Sequence, residues 1–230
     1  LVDYVPIDQS SSPDALLKAE QKPLRAGLVL VSDTAAPDAE PNLPDEALAN
    51  LGERLKQEIS RVLPITIAEV IAPGKIGPSD GTRTQFSDLA RKHGLDYLAI
   101  VVVSSTEQEY PVSLFLGWTT HMQPGYRRDN WSLLEFALLD AKNGKVIVQA
   151  EGRGWATLDR PASPGINQWY PVVYLRPQEP ERRFWPPTYE GAPYTLRVVS
   201  FDQAAKRLTL QLQNAWLGLL ESDAAARRRS

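Results

Sequence analysis

The sequence predicts a mixed α/β (α+β) fold. One sheet in two or three layers is expected, in the order β-α-β-α-β-β-β-β, then a long proline- and aromatic-rich loop and a closing helix. Three observations predict it. In the first half, short apolar runs alternate with segments of helical period, the pattern of parallel strands joined by crossover helices. In the second half, strand-like segments follow one another directly around Asn143-Gly144, a pair that accepts the positive φ of a tight hairpin. Hydrophobic residues at 43% and charged residues at 23% are the proportions of a chain that buries a core.

Residues 1–23 are polar and irregular and read as a tether, although Val2, Tyr4, Val5 and Ile7 alternate enough to pair with a sheet edge. A single α/β domain is expected over 24–225, with a proline- and aromatic-rich insertion at 160–195 and a basic tail at 226–230. RAGLVLVS is a short apolar run of the kind that forms a buried strand. After a proline-rich loop, Pro44, Asp45 and Glu46 mark a helix start, where a missing N–H is harmless and negative charge is favoured. Leu48, Leu51, Leu55, Ile59 and Val62 then form one apolar stripe, and Pro64 ends it. ITIAEVI is β-branched and reads as the second strand. A helix is expected over 84–93, closed by Gly94. DYLAIVVVSS is uninterrupted, which places it in mid-sheet with both faces buried. VSLFLGWTT, WSLLEFALLD and KVIVQAEGRGWATL are expected as three antiparallel strands that continue the sheet. The last helix is expected to begin at Ser200, where Ser200 and Gln203 have capping-box spacing.

The composition excludes several chemistries. With no cysteine there is no disulfide, thiolate metal site or cysteine nucleophile. A net charge of −3 gives no basic field for nucleic acid. The loop after the first strand offers acids and prolines where a phosphate cradle needs glycines. No cofactor, metal ligand set or catalytic residue is assigned. Asp33, Asp38 and Glu40, and Glu107 and Glu109, are expected as solvated acids just beyond strand ends, where α/β sheets place their sites. His93 is expected to complement a helix C-terminus, and His121 to end a strand.

The densest feature lies between Arg160 and Thr195, which holds 8 of the 19 prolines and 7 of the 19 aromatic residues. Aromatic content of that order argues against disorder. Trp169, Tyr170, Tyr174, Phe184, Trp185 and Tyr189 are the expected binding residues, because prolines limit the entropy lost on association and aromatic rings anchor interfaces. Packing over the sheet as core cover is the competing role.

VDYVP, PLRAGLVLV, FSDLARKHGLDYLAIV and LLDAKNGKVIVQAEG resemble the rhombotarget lipoproteins of Gram-negative bacteria. More broadly they are similar to the periplasmic α/β family that includes the TolB N-terminal domain and the CsgG and LpoB lipoproteins. Leu89, Ala90, Gly94, Asp96 and Tyr97 occupy the helix-to-strand step of that family, and Asp140, Gly144 and Lys145 its turn. The resemblance spans residues 2–158 and the final helix, and it carries no functional residues over. It implies a non-enzymatic, periplasmic protein held at the outer membrane by a lipid anchor and acting through an envelope protein partner. The lipidated cysteine is missing, and the chain begins at Leu1, so a longer gene product is expected. Two other readings stand beside this one. A hydrolase would use Asp33, Glu107, Glu109 or His121. A homo-oligomeric ring or pore would need long amphipathic membrane strands, and the alternating stretches read as short.

Overall fold

The computed structural model describes residues 24–33, 43–71, 82–115, 122–162, 171–177 and 182–228. Seven strands form one open mixed sheet: β1 (Leu24–Ser32), β2 (Ile65–Ile71), β3 (Tyr97–Phe115), β4 (Met122–Asp140), β5 (Val146–Pro161), β6 (Val172–Arg176) and β7 (Arg183–Phe184). Their spatial order is β2-β1-β3-β4-β5-β6-β7. Among the described residues there are three helices, α1 (Asp45–Val62), α2 (Thr82–Lys92) and α3 (Ala192–Arg227). The mixed fold class is the one the sequence predicts.

The parallel half follows the expected logic. β1 pairs in parallel with β2 on one side and β3 on the other. The chain therefore steps outward through α1 and back across β1 through α2. Crossovers of one hand that run in opposite directions place their helices on opposite faces. Accordingly Leu51, Leu55 and Ile59 of α1 pack with Leu28, Leu30 and Val101, whereas Phe86 and Ala90 of α2 pack with Val29, Ile100 and Val102. Leu98 to Val103 are at most 1% exposed, as an uninterrupted apolar run buried on both faces should be. Gly94 follows α2 with φ 61°, and its N–H donates to Arg91 O at 3.2 Å.

The antiparallel half departs from expectation in three places. DYLAIVVVSS and VSLFL are not separate strands, because β3 runs unbroken through the polar stretch between them. β3 and β4 are 19 residues each and pair from Tyr97↔Asp140 to Phe115↔Met122, so the expectation of short strands is overturned. Polar residues persist in this ribbon because β4 supplies partners for them, a pairing that local composition does not reveal. Second, the proline-aromatic stretch contains β6 and β7, which pair antiparallel with β5 and with each other.

Third, α3 begins at Ala192, so Ser200 does not cap it. Both capping-box residues serve the sheet from inside the helix. Ser200 Oγ donates to Asn130 O at 3.3 Å. Gln203 accepts from Trp155 N–H at 2.7 Å and donates to Arg176 O at 3.0 Å, joining β5 to the end of β6.

The β4–β5 turn is as the sequence implies. Asp140 accepts from Lys142 N–H at 2.8 Å and from Asn143 Nδ2 at 3.0 Å, while Gly144 takes φ 63°. At the other turn Asp96 accepts from Arg25 N–H, and its C=O receives Ala141 N–H at 3.0 Å. Of the residues that carry the resemblance, Gly94, Asp96, Asp140 and Gly144 thus hold turns together, while Leu89, Ala90 and Tyr97 pack in the core.

α3 crosses the same face of the sheet as α1, and its residues Phe201, Leu208 and Leu212 are at most 1% exposed. It approaches β5 so closely that a Cβ on Gly152 would lie 2.1 Å from Ala204 O, and one on Gly154 1.9 Å from Ser200 O. An ion pair between Arg54 and Asp202 ties α1 to α3. No described helix is long and apolar enough to cross a membrane.

Candidate functional site

Two polar clusters occupy opposite faces of the β3–β4–β5 region, and strand alternation explains both. On the face under α3, register pairs bring Glu107 beside Asn130 and Glu109 beside Arg128. Glu107 accepts from Arg197 of α3 at 2.6 and 3.0 Å and from Asn130 Nδ2 at 3.0 Å, with Arg128 at 3.5 Å. Its side chain is only 3% exposed. Glu109 is held by Arg128 at 2.9 Å and Arg160 at 3.0 Å. These are not solvated loop acids: they lie inside β3 and bind α3 and β5 to it. The error has a physical source, since a carboxylate within a strand has the same local sequence signature as one beyond it. Ser105 Oγ, on the same face, is buried with no partner among the described residues.

An open depression of about 360 Å³ at the far end of the β3–β4 ribbon is lined by Pro111, Val112, Pro124 and Tyr126 among others, with no carboxylate or histidine. Asp33 sits at the end of β1, where its N–H donates to Val103 O at 2.9 Å. Asp38, Glu40 and His121 lie outside the described residues. His93 Nδ1 meets Glu69 Oε1 at 3.0 Å, so its partner is a strand carboxylate as well as a helix end. Among the described residues no group of three or more His, Asp or Glu could hold a metal ion.

The opposite face differs. α2 covers it only beside β1 and the lower part of β3 and β4, and no described helix packs over the upper part. There the register builds rows across the strands. Thr106, Trp131, Trp155 and Arg176 form one row; Gln108, Asp129, Thr157, Tyr174 and Arg183 the next; Tyr110, Arg127, Asp159 and Val172 the third. Trp131 and Trp155 stack with ring centroids 6.1 Å apart and planes at 21°, and Trp131 is 38% exposed. Asp129 is 6% exposed and accepts from Tyr110 Oη at 2.8 Å, Thr157 Oγ1 and Trp155 Nε1 at 3.3 Å. Arg127 and Asp159 make a bidentate pair at 2.7 Å in both bonds. Arg176 and Arg183 lie over the Tyr174 ring at 5.1 and 5.8 Å. The rows therefore present aromatic rings whose polar neighbours hold them in place.

Burial raises the Tyr110 phenol above its ordinary value, with the hydrogen bond to Asp129 adding to the shift; burial raises Tyr97 too, with Asp140 and Asp96 nearby. The sign follows from linkage. Below about pH 10 both folded and unfolded phenols are neutral and the shift has no effect on stability. Above it the unfolded chain ionises first, so stability falls as pH rises. Urea midpoints taken between about pH 9 and pH 11 should decline, and Tyr110→Phe should reduce that decline.

The six expected binding residues are dispersed. Trp169 and Tyr170 lie outside the described residues. Tyr174 projects from the open face beside Thr157, whereas Phe184 lies on the α3 side, packed against the cluster of Ala156, Leu158 and Leu196. Trp185 is 64% exposed, and Tyr189 Oη donates to Pro161 O at 2.9 Å. Trp131, Trp155 and Asp129 are absent from the sequence-based expectation. Their signal is the spacing of Asp129 and Trp131, and of Trp155 and Thr157, two apart on strands with an Asn-Gly turn between them.

No family model matches the chain, and no curated protein matches it. Several solved structures are similar. A neuraminyllactose-binding hemagglutinin homolog from Helicobacter pylori is 10% identical over 96% of this chain and 100% of its own, with TM-score 0.42. A PelC dodecamer from Paraburkholderia phytofirmans is 14% identical over 89% and 93%, with TM-score 0.31. Lipoprotein GNA1162 from Neisseria meningitidis is 10% identical over 61% and 85%, with TM-score 0.29.

Proposed function

We propose that this chain is a non-enzymatic binding module of the bacterial cell envelope whose recognition surface is the open face of β3–β6. The observation that supports it is the Trp131–Trp155 stack, an aromatic pair on a sheet face that no described helix covers. Aromatic side chains on a rigid sheet lose little entropy on association and anchor interfaces. Asp129 holds Trp155 and Tyr110 from beneath, so the rings are ordered before a partner arrives. Tyr174 belongs to the same face, and the exposed Trp185 is kept in the reading as a flanking anchor.

The partner is an envelope protein, and the periplasmic location, with attachment to the outer membrane through a lipid, rests on the sequence resemblance. Glu107 and Glu109 are ion-paired under α3, an arrangement that supports a structural role for them. A ring or pore gains strand length from β3 and β4 but lacks a lipid-facing band: Thr106, Gln108, Arg127 and Asp159 interrupt one face of the ribbon and Glu107, Glu109 and Arg128 the other.

Trp131→Ser removes a half-exposed ring and should leave the fold intact. Against envelope extract, the wild-type chain should capture a discrete protein, and the variant should recover at least about tenfold less of it, the effect of losing one interface anchor. Equal recovery by the two would refute the assignment of this face.

A further inference from the structure

Two side chains of α3 hold main chain behind the tryptophan stack, one beside each ring. Ser200 and Gln203 are three residues apart, share one turn and one face of the helix, and are both buried. Ser200 Oγ donates to Asn130 O at 3.3 Å, the carbonyl of the Asn130–Trp131 peptide. Gln203 Oε1 accepts at 2.7 Å from Trp155 N–H, which belongs to the Gly154–Trp155 peptide. The peptide units that lead into Trp131 and Trp155 are thus held from the helical side, while the two rings stack on the other with centroids 6.1 Å apart. A peptide unit is planar, so holding it constrains the next Cα and the direction in which that side chain leaves the sheet.

Gln203 reaches one strand further. Its Nε2 donates to Arg176 O at 3.0 Å, and Arg176 is the register partner of Trp155 and the last residue of β6. Pro177 follows and has no N–H with which to extend the ladder. One carboxamide therefore bridges β5 and β6 where the row of Trp131, Trp155 and Arg176 crosses between them. Under that row α3 has no slack. A Cβ on Gly154 would lie 1.9 Å from Ser200 O, and one on Gly152 2.1 Å from Ala204 O, so the helix lies against strand main chain at the turn that carries both residues.

We infer that Ser200 and Gln203 are positioning residues of the recognition face: acting through the sheet, one turn of α3 sets the geometry of the Trp131–Trp155 stack and its spacing from Arg176. Asp129 orders the ring of Trp155 from the open side, and the helix orders its main chain from the other. The binding role of the stack rests on the function proposed above, whereas its geometry is measurable with no partner present.

Closely stacked indoles couple, and circular dichroism reads that coupling as a couplet. The difference between wild type and Trp131→Ser isolates it from the signals of the other tryptophans. Gln203→Met keeps an unbranched side chain and removes both bonds. In that background the Trp131→Ser difference should shrink to about half or less, with the far-ultraviolet signal of the fold unchanged. Ile59→Val loosens the same core from α1 and should leave the difference at its wild-type size. Ser200→Ala, the milder change, should also shrink it, and it decides the matter where Gln203→Met does not fold. A full-sized difference in either α3 variant that folds, or an equal loss in Ile59→Val, would overturn the positioning role. Equal capture of an envelope protein by wild type and Trp131→Ser would instead refute the recognition surface, and the couplet would still decide what α3 does to the stack.

Discussion

Gly154→Ala should lower stability by about 3 kcal/mol or more, through overpacking against backbone that cannot yield. A methyl group there would meet Ser200 O at 1.9 Å, and Gly152→Ala would meet Ala204 O at 2.1 Å, so α3 must lift from β5 in either case. Displacing α3 would also break the Gln203 bonds to Trp155 and Arg176. Urea denaturation measures the effect as a lower midpoint with little change in slope. Gly218 is the internal control. It lies on the exposed part of α3, and an added methyl would have nothing within 4 Å, so Gly218→Ala should stabilise the protein by roughly 0.5–1 kcal/mol. Opposite signs at the two glycines would show that close approach to β5, and not loss of glycine as such, sets the cost.

Glu107→Ala should cost about 3–5 kcal/mol, the penalty for breaking a buried ion pair by removing one of its members. Arg197 is 16% exposed and reaches Glu107 through two bonds, and alanine removes both of them between α3 and the sheet. Glu109→Ala, at a side chain 29% exposed, should cost about 1 kcal/mol or less. Replacing both members of the buried pair, as Glu107→Leu with Arg197→Met, should recover much of the loss, because an apolar pair of similar volume needs no compensation. If the single and double variants lose stability equally, the pair does not act as a unit. Solvated acids would both be dispensable, and the structure separates the two glutamates.

What the sequence discloses tracks with how local the determining physics is. Apolar periodicity locates the cores of β1, β2, α1 and α2, and the Asn143-Gly144 turn locates the β4–β5 hairpin, since each depends on near neighbours in the chain. The joining of two segments into β3 depends on β4, which supplies Asn130 and Arg128 to Glu107 and Glu109. α3 starts well before the expected Ser200, because Ser200 and Gln203 match a cap equally well as they match contacts to β4, β5 and β6. Gly152 and Gly154 do leave a trace. Two glycines on one face of a strand signal a close backbone approach, a signal that strand propensity in AEGRGW does not carry. The open face is the least legible part, because Trp131 and Trp155 meet only through the β4–β5 register.

Site-specific photocrosslinking tests the central claim most directly. A photoreactive side chain at Gln108, exposed on the open face, is compared with one at Leu210, which is 55% exposed on the outer side of α3. Both chains are irradiated in envelope extract. A recognition surface on β3–β6 requires a discrete adduct from position 108, competed away by unlabelled wild-type chain and not by Trp131→Ser, with none from position 210. An adduct from position 210 alone would place the partner on the helical side and contradict the account.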